Sequence, residues 1–222
     1  VAKVKLKSPE QRLAEVGKSV AKRLSAPGRS QLVKGNGLVL YTIQNFLSLE
    51  ECAGLIALIE DARAPSTLLA DHPDKSFRTS DSANLDNAHP LVATVEARIC
   101  ALMGVNPRHG ETMQGQVYEV GQQFKPHFDF FKKHSVYWGD MMACGGQRSW
   151  TAMAYLNQPA AGGETHFPSA GLMVQPVQAM LLLWNNMNPD GTPNDAALHE
   201  GCPVLAGTKY IFTKWFRERF WQ

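Results

Sequence analysis

Between residues 116 and 216 the chain breaks into short apolar runs separated by clusters of Gly, Pro and Asn. The runs are Gln116–Val120, Trp150–Leu156, Thr165–Phe167, Leu172–Gln175, Ala179–Trp184 and Lys209–Phe216. Runs of this length, bounded by turn residues, read as strands, and several in succession point to a sandwich or barrel. The second half of the chain is therefore expected to be a β structure that buries its apolar side chains between two sheets.

The first half reads differently. Ser8-Pro9-Glu10-Gln11 has the form of a capping box with Pro at the first helical position, and Leu13, Val16, Val20 and Leu24 follow at helical spacing. Ala26-Pro27-Gly28 ends that helix. Leu38–Tyr41 reads as a short strand. Ser48-Leu49-Glu50-Glu51 is a second capping box, opening a helix through Cys52, Leu55, Ile56, Leu58 and Ile59. A third helix is expected from Pro90 through Val92, Val95, Ile99 and Leu102, stopped by Gly104. Helices grouped ahead of strands give a mainly β, α+β fold: a jelly roll buttressed on one side. The 222 residues are read as a basic helical extension over 1–36 and one domain over 37–222.

Charge is uneven. Residues 1–36 hold nine Lys and Arg against two Glu, a balance of +7 in a chain whose net charge is +2. Such an arm can meet nucleic acid or acidic partners, but it carries no interleaved aromatics of the kind that stack on bases. A solvated helical face, with an apolar side packed on the body or on a second copy as a homodimer, is the expected reading. No apolar run approaches the roughly 20 residues of a membrane helix, and the N-terminus lacks the layout of a secretory signal. Four cysteines without C-x-x-C spacing (Cys52, Cys100, Cys144, Cys202) are expected as reduced thiols in a cytoplasmic protein.

The chemistry-bearing residues lie in the β half. His127 and Asp129 are two apart, so on an extended segment they project to one side. Pro126 just before them suits a strand end or edge. A second imidazole, from His199, would come from another strand. Two imidazoles and a carboxylate on one face of a divalent ion, with the opposite face open, form the facial triad of non-haem Fe(II) oxygenases. His127 alone would more often be a packing or surface residue. The surroundings decide the matter: strand alternation puts Lys209, Ile211, Thr213 and Trp215 on one face. A lysine on an apolar face needs an anion, either an internal carboxylate or a bound one. Tyr118 and Thr165 are placed to add hydrogen bonds to that anion.

Four stretches then resemble one family: Gln116-Val117-Tyr118 through His127-Phe128-Asp129; Gly146-Gln147-Arg148 through Tyr155-Leu156-Asn157; Gly162-Gly163-Glu164-Thr165-His166-Phe167-Pro168; and Leu198-His199-Glu200-Gly201-Cys202-Pro203-Val204 through Gly207-Thr208-Lys209 and Trp215. Together they resemble the prolyl 4-hydroxylase branch of the 2-oxoglutarate/Fe(II) dioxygenases, over residues 38–217 and most closely over 116–217. The resemblance implies a double-stranded β-helix, a distorted jelly roll with supporting N-terminal helices. It implies that His127, Asp129 and His199 bind Fe(II) and that Lys209, with Tyr118 and Thr165, holds the distal carboxylate of 2-oxoglutarate. O2 would be the second co-substrate and ascorbate the reductant. Arg78, Ser80, Arg148 and Trp215 match positions that contact substrate; for Arg148, pairing with Glu164 is the structural alternative. Phe124 departs from the Tyr found in many members. Lysine at 209, where other branches use arginine, favours the prolyl branch.

The implied reaction is hydroxylation of prolyl residues in a peptide or protein, with release of succinate and CO2. The same chemistry on free proline, another amino acid or a small molecule stays open, as does a catalytically silent binding module; the complete set of four residues argues against the last. Segments 131–147 and 71–86 are expected to act as lids.

Overall fold

The helices begin where their caps place them. A computed structural model describes residues 6–70 and 72–221; Lys3 and Lys5 of the basic arm and Asp71 of one expected lid lie outside that range. Ser8 and Ser48 both form complete capping boxes, with Gln11 and Glu51 as the reciprocating side chains. They open α1 (Pro9–Leu24) and α2 (Leu49–Ala62). The third helix, α3 (Pro90–Met103), ends at Gly104, whose φ of 71° is the left-handed conformation that glycine adopts without a Cβ penalty.

The strands are β1 (Gln31–Lys34), β2 (Val39–Ile43), β3 (Ala64–Pro65), β4 (Asp81–Asn84), β5 (Gln114–Tyr118), β6 (Phe124–His127), β7 (Arg148–Tyr155), β8 (Ala161–Gly162), β9 (Thr165–Phe167), β10 (Leu172–Val174), β11 (Leu181–Asn185), β12 (His199–Gly201), β13 (Val204–Ala206) and β14 (Lys209–Arg217). A short helix, α4 (Trp138–Ala143), lies between β6 and β7. The major sheet has the order β1-β2-β11-β7-β14-β5-β4-β3, the minor sheet the order β10-β9-β12-β6, and β13 pairs with β8. Every pairing between named strands is antiparallel. The architecture is the mainly β jelly roll with N-terminal helices that the run pattern predicts.

Strand alternation sorts the apolar side chains into two cores. Val117, Ala152, Ala154, Leu181, Leu183 and Phe212 face the helices and join Val20, Leu24, Leu55, Ile59, Val95 and Ile99. Tyr118, Met153, Tyr155, Leu182, Trp184 and Ile211 face the other way, toward Phe167 and Val204 of the minor-sheet side. The central strands are thus buried on both faces, which is why β7 and β11 read as continuous apolar runs and not as alternating ones. Gly115 on β5 lets α2 approach: a Cβ there would sit 2.2 Å from Ile59 Cγ1. Helix α1 buries Leu13, Val20 and Leu24, and its Arg12 pairs with Glu218 near the chain's C-terminal end.

Some elements differ from the sequence pattern. β6 and β12 are only four and three residues long, too short for periodicity to register. The 131–147 segment contains α4 and is pinned at its base. Gln147 accepts from Phe131 N (2.7 Å) and donates to Phe131 O (2.9 Å), while Arg217 donates to Gly146 O (2.5 Å).

Candidate active site

The register of the minor sheet brings the two histidines together. His199 on β12 stands directly opposite His127 on β6, and their ring centroids are 4.3 Å apart. Asp129, two residues beyond His127, reaches the same point: its Oδ2 is 3.8 Å from His199 Nε2. The ligand-capable atoms of His127, Asp129 and His199 all lie within 4.8 Å of one another.

Each ligand is oriented by a partner. His127 Nδ1 donates to Lys125 O (2.9 Å) and His199 Nδ1 to Ala197 O (3.0 Å). Donation to a carbonyl fixes the tautomer and leaves both Nε2 lone pairs free. Burial, followed by the neighbouring His199, pushes the His127 pKa down to about 3, so the ring is neutral and ready to ligate. Burial by itself would raise the Asp129 carboxyl, but His199, His127, Arg148 and the Thr151 hydrogen bond hold it below the usual range.

A buried relay joins the carboxylate to the second histidine. Thr151 O–H donates to Asp129 Oδ2 (2.7 Å), Asn186 Nδ2 donates to Thr151 Oγ1 (2.9 Å), and Trp184 Nε1 donates to Asn186 Oδ1 (3.1 Å). The Trp184 ring then meets His199 edge-to-face, with centroids 5.1 Å apart. Neither Thr151 nor Asn186 carries a local motif. The only trace in the sequence is a polar residue in or beside an apolar run.

Beside the triad lies a cleft lined by Arg78, Gln116, Tyr118, Phe124, Met153, Thr165, Trp184, Gly201, Lys209, Ile211, Thr213 and Trp215. All four residues assigned by alternation to the inner face of β14 are in it. The pairing of β14 with β5 sets Lys209 opposite Tyr118 and Ile211 opposite Gln116, so Gln116 was legible as the residue two before Tyr118. Lys209 is 1% exposed. Its ammonium makes no hydrogen bond or ion pair among the described residues; its neighbours are the faces of Tyr118 (5.1 Å) and Tyr155 (5.6 Å). Burial lowers its pKa to about 8 against the opposing pull of Cys202 and Glu164. Thr165 accepts from Tyr155 O–H (2.7 Å), leaving its own hydroxyl proton to donate. Tyr118 O–H donates to Gln116 Oε1 (2.8 Å).

The substrate-side candidates spread around this cleft. Arg78 lies over the Phe124 ring at 4.8 Å and donates to Ser80 Oγ, Thr67 O and Gln114 Oε1. Ser80 is buried behind it, bonded to Ser66, and does not line the cleft. Arg148 grips Glu111 with two bonds, of 2.6 and 2.7 Å, and lies 4.0 Å from the centre of the Trp215 ring. Its acid is thus Glu111 on the segment before β5, and not the expected Glu164, which stands beside β12. The Trp215 indole N–H is buried without a partner.

The donor set suits Fe(II): two imidazoles and one carboxylate on a single side, preset by hydrogen bonds. The isolated ammonium suits an anionic co-substrate next to it.

Residues 113–217 match the family model of the 2OG-Fe(II) oxygenase superfamily. The chain is 35% identical over 201 residues to probable prolyl 4-hydroxylase 8 of Arabidopsis thaliana, covering 79% of this chain and 67% of that protein. It is 34% identical over 201 residues to prolyl 4-hydroxylase subunit alpha-3 of Rattus norvegicus, covering 88% of this chain and 36% of the relative. Among solved structures, the viral collagen prolyl hydroxylase of Paramecium Bursaria Chlorella virus-1, as its 2OG complex, superposes with a TM-score of 0.64 at 24% identity, covering 80% of this chain and 95% of that one. A Trichoplax adhaerens prolyl hydroxylase, in complex with a hypoxia inducible factor peptide fragment, gives 0.62 at 16% identity, covering 97% and 94%. These likenesses establish the fold as that of the 2OG-Fe(II) oxygenases. The chain belongs to the prolyl 4-hydroxylase family within that superfamily, and spans about two thirds of the length of its Arabidopsis relatives.

No helix among the described residues is long and apolar enough to cross a membrane.

Proposed function

We propose that this chain hydroxylates prolyl residues in a peptide or protein, using Fe(II), 2-oxoglutarate and O2, with ascorbate as reductant. The observation that carries the reading is Lys209, a buried ammonium with no ion pair among the described residues, in the same cleft as the preset triad. Removing such a charge from water is costly, and a bound carboxylate offsets the cost. When bound, the iron and its two co-substrates supply the oxidising power to place a hydroxyl on an unactivated C–H, 2-oxoglutarate leaving as succinate and CO2.

The protein's share is positioning. His127, Asp129 and His199 would hold the metal from one side. Lys209 would pair with the distal carboxylate of 2-oxoglutarate, with the free Thr165 hydroxyl as a second donor and Tyr118 beside it. The wall of Met153, Trp184 and Ile211 keeps water away from that ion pair. The stacked Arg148–Trp215 pair and Arg78 form the rim against which a peptide would lie, and Ser80 acts through Arg78.

The test is succinate release with Fe(II), ascorbate, 2-oxoglutarate and proline-rich peptides, followed by mass spectrometry for addition of one oxygen atom to proline. Asp129→Ala is expected to abolish both readouts. Full turnover in that variant, or oxygen placed only on free amino acids, would refute the proposal.

A further inference from the structure

The strand that delivers His199 carries a second donor set on its other face. His199 and Gly201 point into the cleft, so Glu200 and Cys202 project outward by alternation. The neighbouring strand β9 repeats the pattern: Thr165 and Phe167 are buried, and His166 turns out. Register places His166 opposite Glu200, and the Cys202 N–H bond to Glu164 O (2.9 Å) extends that ladder by one more pair. The ligand-capable atoms of His166, Glu200 and Cys202 come within 4.8 Å of one another. His166 Nδ1 already lies 2.7 Å from Glu200 Oε1, with the two side chains 29% and 25% exposed.

We infer that His166, Glu200 and Cys202 form a second metal site, on the outer face of the minor sheet, for a zinc-class divalent ion. The reasoning is chemical and geometric. Imidazole, carboxylate and thiolate make the mixed N/O/S set that Zn(II) accepts in tetrahedral sites, and partial exposure leaves a fourth position for water. It differs from the triad in its sulfur, which favours softer ions. Burial, then the carboxylates of Glu200 and Glu164, push the Cys202 thiol above its ordinary range against the field of Lys209, so an ion bound there would displace the thiol proton. Ligand bonds of about 2.0 Å set ligand atoms roughly 3.3 Å apart around a tetrahedral ion. The 2.7 Å His166–Glu200 contact must therefore part slightly as an ion replaces the shared proton. An ion held there would clamp β12 from the face opposite His199.

Cobalt(II) titration of the whole protein under argon tests this site separately from the catalytic reading. The triad contains no sulfur, so a thiolate-to-cobalt charge-transfer band in the near ultraviolet reports only a cysteine site. The expected result is such a band in the wild-type protein, displaced by Zn(II), absent in Cys202→Ser and weakened in His166→Gln. No band in the wild type, or a band that survives Cys202→Ser, would overturn the inference. Neither outcome bears on whether the triad turns over.

Discussion

Replacing Lys209 by Met should make the ligand-free protein more stable while removing its grip on 2-oxoglutarate. Met nearly matches the stem of lysine and leaves no charge. Burial lowers the Lys209 pKa from its ordinary 10.5 to about 8. A displacement of that size corresponds to about 3 kcal/mol of preference for the neutral amine. The unfolded chain binds this proton more tightly than the native state, so between pH 8 and 10.5 wild-type stability rises with pH. Below pH 8 the ammonium is charged in both states and the whole penalty is present. Lys209→Met escapes it, so at pH 7 the variant should melt higher by roughly 6–12 °C for a chain of this size. The advantage should shrink as pH climbs through 8 to 10. Manganese(II) and 2-oxoglutarate at about one hundred times Kd should add about 2.7 kcal/mol to the wild type and little to the variant. Thermal and urea melts at pH 7 and pH 9.5, with and without ligand, supply these quantities. A variant less stable than wild type at pH 7, or one that keeps the full ligand-induced gain, would show that the ammonium is satisfied internally and that the carboxylate binds elsewhere.

Two further changes test the scaffold. Thr151→Val removes the donor to Asp129 and the acceptor of Asn186, and should weaken Mn(II) binding about 10- to 100-fold by calorimetry, with about 1–3 kcal/mol lost in urea melts; unchanged metal affinity would dismiss the relay as mere packing. Gly115→Ala forces a methyl into Ile59 and should cost about 1–3 kcal/mol, partly recovered when Ile59→Ala is added, whereas no cost would mean α2 can slide freely on β5.

The parts of this molecule that were legible in the sequence share a cause. Capping boxes at Ser8 and Ser48, and the glycine stop at 104, are local chemistry read within one turn of helix. The inward face of β14 was legible because nine residues of strand allow alternation to repeat. His127 and Asp129 were legible as a same-side pair, but their meeting with His199 depends on cross-strand register, which no local pattern states; there the family resemblance carried the prediction. The acid that holds Arg148 was misplaced for the same reason: Glu111 becomes a neighbour only once β7 lies beside β14. Thr151 and Asn186 escaped notice because a single polar residue in a buried run gives no hint of what it touches.

The cleft runs along β14 from sealed Lys209 to half-open Trp215. Six residues of extended chain measure about 20 Å, far longer than a five-carbon diacid. If the mouth of the cleft lies at the Trp215 end, a small anion passes the indole to reach its seat, and a polypeptide resting on the indole closes the passage behind it. On that geometry loading would follow one order, fuel before cargo, and an excess of cargo should starve the site of fuel.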